Sequence, residues 1–149
     1  MWDTFQRQRL ALEESVLKDS HPHCEFTLGN DYVVVRIWHS VAGDWYRLRI
    51  EALDTYPDVK PKVYVQHPVP LLAYWPGRKI SEFAPSHNYH VLRTSGEGEV
   101  QICHFSDGDW DATKSIHLVV LKAKLWLQAY AEHHMQTGQP ICDFFNDCR

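Results

Sequence analysis

The sequence predicts an α+β domain in which a helix precedes a four-stranded antiparallel meander, a long loop follows, and a second helix comes last. Three observations predict this fold class. Apolar residues recur at helical spacing near the start, apolar and polar residues alternate over positions 45–52, and helical spacing returns after position 113. With 149 residues, the chain has the size of one domain with a substantial core.

The first helix is predicted over residues 2–18. Apolar Phe5, Leu12 and Val16 recur near helical spacing among Arg, Gln and Glu, and no glycine or proline interrupts the segment. The polar run that follows contains Pro22, and the residue before a proline avoids the helical region of backbone space. The helix is therefore expected to end before this proline.

Four strands are predicted next. β-branched and aromatic residues dominate positions 24–28 and 31–41, and the Gly-Asn-Asp sequence between them is typical of a hairpin turn. A shorter fourth strand is predicted at 61–67. The third strand has the clearest alternation, and its apolar face carries Tyr46, Leu48, Ile50 and Ala52.

A long segment, residues 71–112, separates the meander from the last helix. Glycines and prolines punctuate it, and its tryptophans, tyrosine and phenylalanine indicate an ordered loop. The last helix is predicted from Thr113 to Thr137, with Asp111 or Thr113 as its N-cap and with Gly138 and Pro140 as its stop. Its apolar face carries Ile116, Val119, Val120, Ala123, Leu127 and Tyr130.

Charge and composition argue against several classes of partner. The formal net charge of −4 gives no reason to expect nucleic acid, which is usually met by a basic face. No apolar stretch approaches the roughly 20 residues that span a bilayer, and the first residues do not resemble a signal peptide, so a cytoplasmic protein without a membrane partner is expected. The four cysteines lack zinc-ribbon spacing, and no metal or cofactor is predicted.

Two motifs carry a resemblance to a known family. Residues 56–63 read Tyr-Pro-Asp-Val-Lys-Pro-Lys-Val, which resembles the Y-P-x-x-P-P-K-V signature of ubiquitin-conjugating (E2) enzymes, with Lys60 at one proline position. Residues 98–103 read Gly-Glu-Val-Gln-Ile-Cys and resemble the G-x-I-C run of the E2 active site, with the glycine two residues farther from the cysteine. Together these motifs are more specific than either alone.

Two further features extend the resemblance, and the first is typical of the bacterial E2-like proteins, which are found in anti-phage operons. His87-Asn88-Tyr89 stands at the place of the E2 His-Pro-Asn tripeptide, in the H-x-Y form that the bacterial group often shows. Asp109-Trp110 and the helix after it are similar to the tryptophan and helix that follow the family's cysteine. The resemblance implies a UBC-like fold over residues 1–140, with residues 141–149 as a short C-terminal tail.

The resemblance implies that Cys103 accepts an acyl group as a thioester. His87 and Tyr89 belong to the tripeptide, and Tyr89 either donates to a developing oxyanion or packs under the loop. Asp107 and Asp109 either orient an incoming amine or are simply solvated near a helix N-terminus. His104 could lower the pKa of the neighbouring thiol, whereas the aspartates would raise it.

The remaining candidate residues have supporting roles. Trp110 is expected to fix the active-site loop, as is His104, which replaces the usual leucine after the cysteine. Arg7 and Arg9 lie on the first helix, where the family contacts its activating enzyme, although a solvated helix face explains them equally well.

The function implied is an E2-like acyl carrier in bacterial anti-phage defence. It would take the C-terminal glycine of a ubiquitin-like modifier or of a cyclic-nucleotide synthase from a separate activating enzyme, or by a route without one, and pass it to an amine or other acceptor. Two alternatives remain: an inactive binding scaffold of the same fold, and a hydrolase that pairs Cys103 with His87, His90 or His117.

Overall fold

The computed structural model describes residues 1–86, 88–92, 99–134 and 138–141. Within this part of the chain there are two α-helices and one antiparallel sheet of six strands, in the order β1-β2-β3-β4-β6-β5. The predicted α+β class is confirmed. The elements are α1 (Thr4–Ser20), β1 (Glu25–Leu28), β2 (Tyr32–Val41), β3 (Asp44–Leu53), β4 (Lys62–His67), a 3₁₀ helix (Ile80–Phe83), β5 (Val91–Leu92), β6 (Val100–Ile102) and α2 (Ile116–Glu132).

The prediction of four strands is wrong, because the long segment after β4 contributes β5 and β6 to the sheet. Their residues pair as Val91 with Ile102, and β6 also pairs with β4 through Val63 and Ile102. Two- and three-residue strands are too short to show an alternating pattern, and the glycines and prolines around them predict a loop. The sheet therefore extends to the residue before Cys103.

The alternation predicted for β3 is confirmed. Tyr46, Leu48, Ile50 and Ala52 are buried on the helix side of the sheet. Cross-strand neighbours on the same face, such as Val35 of β2 and Val63 of β4, are fully buried as well. This face forms the core against the two helices.

The first helix begins two residues later than predicted and presents a different face to the core. Asp3 caps it, because its carboxylate accepts from the backbone N–H of Gln6 at 2.7 Å. Phe5, Leu12 and Val16, the apolar residues that predict the helix, are exposed. Its buried side carries Leu10, Glu13 and Leu17.

The second helix begins at Ile116 rather than Thr113, and its N-cap is Ser115. The side chain of Asp111 instead accepts from the backbone N–H of Thr113 at 2.9 Å and forms a turn before the helix. The predicted apolar face is confirmed, and Trp126 joins it. At the other end, Gly138 adopts a left-handed φ of 68°. Ile141, assigned to the tail, is buried, and residues 142–149 lie outside the described part.

No helix in the described part of the chain combines the length and the apolar character needed to cross a membrane.

A buried carboxylate joins both helices to the connection between β3 and β4. Glu13 accepts from the phenol of Tyr56 at 2.6 Å and from the backbone N–H of Ile116 at 2.7 Å. Arg9 completes the group at 3.3 Å from the carboxylate. Burial, with the hydrogen bond to Glu13, raises the pKa of Tyr56, which keeps the phenol protonated and donating. The start of α2 and the Tyr56 segment are therefore held at one point on α1.

We expect Tyr56→Phe to lower the free energy of unfolding by about 2 kcal/mol, because a hydrogen bond to a buried charged group is lost. The measurement is urea unfolding at neutral pH. Tyr32→Phe removes a phenol from an exposed side chain and is the matched control. Equal stability of the two variants would contradict the role given to this hydrogen bond.

Candidate active site

Cys103 lies directly after β6, at the point where the chain leaves the sheet. Its backbone N–H donates to the carbonyl oxygen of His90 at 2.8 Å, which extends the β5–β6 pairing by one residue. The cysteine is partly exposed and takes no part in a disulfide. The sheet thus fixes the backbone of Cys103 while leaving its thiol at the surface.

A pocket of about 300 Å³ opens beside this thiol. The turn that leads into β5, β5 itself and Cys103 form its wall. Its lining residues are Pro85, Ser86, His90, Val91, Leu92 and Cys103. A thiol at the rim of such a pocket can meet the end of an extended chain.

The imidazole of His104 is held in its neutral form. Burial lowers the pKa of its imidazole to about 4, and Lys60 and Lys122 add to that effect. Its Nε2 is buried and has no hydrogen-bond partner among the described residues. His104 is therefore neutral at physiological pH, and its influence on the thiol of Cys103 stays a prediction.

The aspartates after the cysteine are engaged within the chain. Asp107 is almost fully exposed and forms an ion pair of 3.0 Å with Lys60. Asp109 accepts from the hydroxyl of Ser106 at 2.6 Å. Both carboxylates remain at the surface, where an incoming amine could reach them, and their role toward an amine stays a prediction.

Lys60 ties the crossing before β4 to the segment after Cys103. Its ammonium donates to the carbonyl oxygen of Phe105 at 2.6 Å, in addition to pairing with Asp107. The sequence motif marks Lys60 only as a departure from a proline, and no local pattern reveals this long-range bond. The lysine thereby holds the backbone two residues beyond the thiol.

Trp110 makes a second connection between the same two segments. Its indole N–H donates to the carbonyl oxygen of Pro57 at 2.8 Å. Its ring meets the edge of Phe105 with 5.6 Å between centroids, and it lies 6.4 Å from the ring of Tyr56. These contacts describe a residue that supports the loop after Cys103.

Tyr89 is directed into the core. Its ring stacks on Phe83 with 4.6 Å between centroids and meets the edge of His133 at 5.5 Å. Its carbonyl oxygen accepts from the indole of Trp126 at 2.9 Å. Of the two roles predicted for Tyr89, packing under the loop is the one these contacts describe, whereas donation to an oxyanion stays a prediction.

Three further residues are predicted for the site, and of these His87 lies outside the described residues. Arg9 has its guanidinium turned inward, where it bonds Glu13 and the carbonyl oxygens of Ala112 and Lys114. Arg7 is exposed near the start of α1, where its Nε donates to the carbonyl oxygen of Trp2 at 3.3 Å, and its contact with a partner stays a prediction.

The described residues contain no cluster of three His, Cys, Asp or Glu side chains arranged to hold a metal ion.

The half-buried His104, whose Nε2 is shielded from solvent, makes stability depend on pH. Its pKa in the folded chain lies below the ordinary 6.5, so the unfolded chain binds more protons in this range. Stability is therefore lost as the pH falls from about 6.5 toward 4. Burial also lowers the pKa of His21, His39 and His133, and these residues act in the same direction.

We expect His104→Leu to reduce the loss of unfolding free energy between pH 7 and pH 5 by about 2 kcal/mol, because leucine cannot take up a proton. Urea unfolding at both pH values measures this. His23→Leu, at an exposed position, is the matched control and leaves the loss unchanged. An identical pH dependence in wild type and His104→Leu would show that His104 is not held neutral by burial.

Comparison with known proteins gives no match: no family model, no curated protein and no solved structure is similar to the chain.

Proposed function

We propose that this chain is an E2-like conjugating enzyme with a UBC-like fold and that Cys103 carries an acyl group as a thioester. The observation that carries the proposal is the placement of Cys103. It is partly exposed at a pocket, and the segment after it is bonded to residues 57 and 60. These two residues belong to the 56–63 motif that resembles the E2 signature, so both halves of the resemblance meet at one place.

The geometry suits acyl transfer. A C-terminal glycine is an extended, unbranched end, and its carbonyl carbon can approach a thiol that lines an open pocket. The thiolate attacks this carbon, a new C–S bond forms, and the bond to the donor's leaving group breaks. An amine then attacks the thioester carbon, and the Cys103 sulfur leaves as the C–N bond forms.

Asp107 and Asp109 are proposed to act in this second step. Both carboxylates lie at the surface on the turn that follows Cys103. A carboxylate there can orient the ammonium of an acceptor lysine and accept its proton before attack. Lys60 already occupies Asp107, so an acceptor would compete with it for that carboxylate.

The donor is proposed to be a ubiquitin-like modifier or the C-terminus of a cyclic-nucleotide synthase, delivered by an activating enzyme in the cytoplasm of a bacterium that defends itself against phage. This assignment rests on the resemblance of the motifs to the bacterial E2-like group. Arg7 and the exposed face of α1 are the surface proposed to meet the activating enzyme.

A Cys-His hydrolase is the second candidate, and one observation favours it. His90 lines the same pocket as Cys103, as a general base for hydrolysis would. His117, in contrast, lies beside Ser20 and His21, near the end of α1. A hydrolase would release free acid, whereas a carrier would retain the acyl group.

We expect the wild-type protein, mixed with its modifier or synthase, activating enzyme and ATP, to form an adduct that a reducing thiol cleaves. Cys103→Ala abolishes it, because the acceptor sulfur is lost. Cys24→Ala retains it, since Cys24 is buried and burial raises the pKa of its thiol. Gel electrophoresis with and without reductant reads the result.

Three other outcomes would contradict the proposal. The same thiol-sensitive adduct in Cys103→Ala would place the acyl group elsewhere. Rapid release of free acid without an adduct would favour the hydrolase. Stable binding with no adduct would favour the scaffold of the same fold.

A further inference from the structure

Of the histidines considered as partners for the thiol, His90 alone among those in the described residues stands opposite it in the sheet. Val91 pairs with Ile102 and Leu92 with Gln101, so the register brings His90 opposite Cys103. The bond from the Cys103 N–H to the His90 carbonyl oxygen confirms this extension of the ladder. The backbones of His90 and Cys103 are therefore neighbours at the end of the β5–β6 pairing.

The backbone of His90 is held in an unusual conformation. Its φ of 50° lies in the left-handed region, which side chains with a Cβ rarely adopt. Ser86 and Val91 exchange two backbone hydrogen bonds across the turn, and His90 is the last residue of that turn. The turn therefore fixes the backbone position from which the His90 side chain extends. Both His90 and Cys103 line the pocket.

The electrostatics of the pocket lining are simple. Pro85, Ser86, Val91 and Leu92 carry no charge at neutral pH, so His90 and Cys103 are the ionisable groups among its lining residues. Lys60 and Lys122 contact Phe105 on the segment after Cys103, and both act as cations on His104. An imidazolium and a thiolate facing each other in such a pocket stabilise one another.

We propose that His90 is the proton acceptor of the Cys103 thiol. The proton transfer itself does not depend on the proposed function. Only the use of the thiolate as an acyl acceptor rests on that function. The imidazole takes the proton from Sγ, and the sulfur attacks the carbonyl carbon of the donor's thioester. As the new C–S bond forms, the bond to the donor's sulfur breaks, and that sulfur leaves as a thiolate and takes the proton from the imidazolium. The imidazole is then neutral again.

The test is the rate at which iodoacetamide alkylates Cys103, followed for the cysteine's own peptide by mass spectrometry. This reagent requires no modifier, activating enzyme or acceptor. The variant is His90→Asn, because asparagine tolerates a left-handed φ but cannot accept a proton in this range. His117→Asn, the same substitution at a distance from the pocket, is the control.

At pH 7 we expect His90→Asn to react about tenfold more slowly than wild type, and at pH 9.5, where a thiol ionises without help, the two rates converge. The control matches wild type at both values. Convergence is the readout that a merely structural role of His90 would not produce, because a blocked or displaced thiol reacts slowly at every pH.

Equal rates at pH 7, or the same loss at both pH values, would overturn the proposal. Neither result bears on thioester formation, which the adduct of wild type with its modifier tests separately. Conversely, the absence of an adduct in wild type, together with slower alkylation of His90→Asn at pH 7 only, would support the Cys103–His90 pair and contradict the conjugating function.

Discussion

The fold depends on the carboxylate of Glu13, which is buried between elements that are far apart in sequence. An isolated carboxylate in such a place would be costly, and here the phenol of Tyr56, the first N–H of α2 and the guanidinium of Arg9 satisfy it. Each donor comes from a different segment or turn. These hydrogen bonds therefore fix the segment before β4 and the start of α2 relative to α1. The active-site loop lies between these two segments in the sequence.

A series of contacts leads from Tyr56 to Phe105, two residues beyond Cys103. Tyr56 precedes Pro57, whose carbonyl oxygen accepts from Trp110, and Trp110 packs against Phe105. The ammonium of Lys60 donates to the carbonyl oxygen of Phe105. The motif at 56–63 is thus physically joined to the segment after Cys103, although some forty residues separate them in sequence.

The parts of the fold that sequence predicts well are those with long periodic patterns. The ten-residue strand β3 and the apolar face of α2 extend over enough residues for the period to be visible. The two short strands β5 and β6 do not. They are stabilised by the pairing of β6 with β4 and of β5 with β6 rather than by local preference. In α1, two sets of residues share helical spacing, and tertiary contacts of Glu13 decide which of them faces inward.

The candidate site divides in the same way. Cys103 and Trp110 stand in motifs that can be read locally, and the structure places both at one loop. The pairing of Cys103 with His90 depends on the register between β5 and β6, which no local pattern contains. His104 illustrates the converse: adjacency in sequence predicts an interaction with the thiol, but burial holds its imidazole neutral and lowers its pKa to about 4.

The most direct measurement is to locate the acyl group on the wild-type protein. After reaction with the activated modifier and protease digestion at mildly acidic pH, mass spectrometry identifies the peptide that carries the modifier's C-terminal residues. The account predicts that the group is on Cys103 and that hydroxylamine removes it, as expected for a thioester. A hydroxylamine-resistant group on a lysine such as Lys60, or a thioester on Cys24, would contradict it.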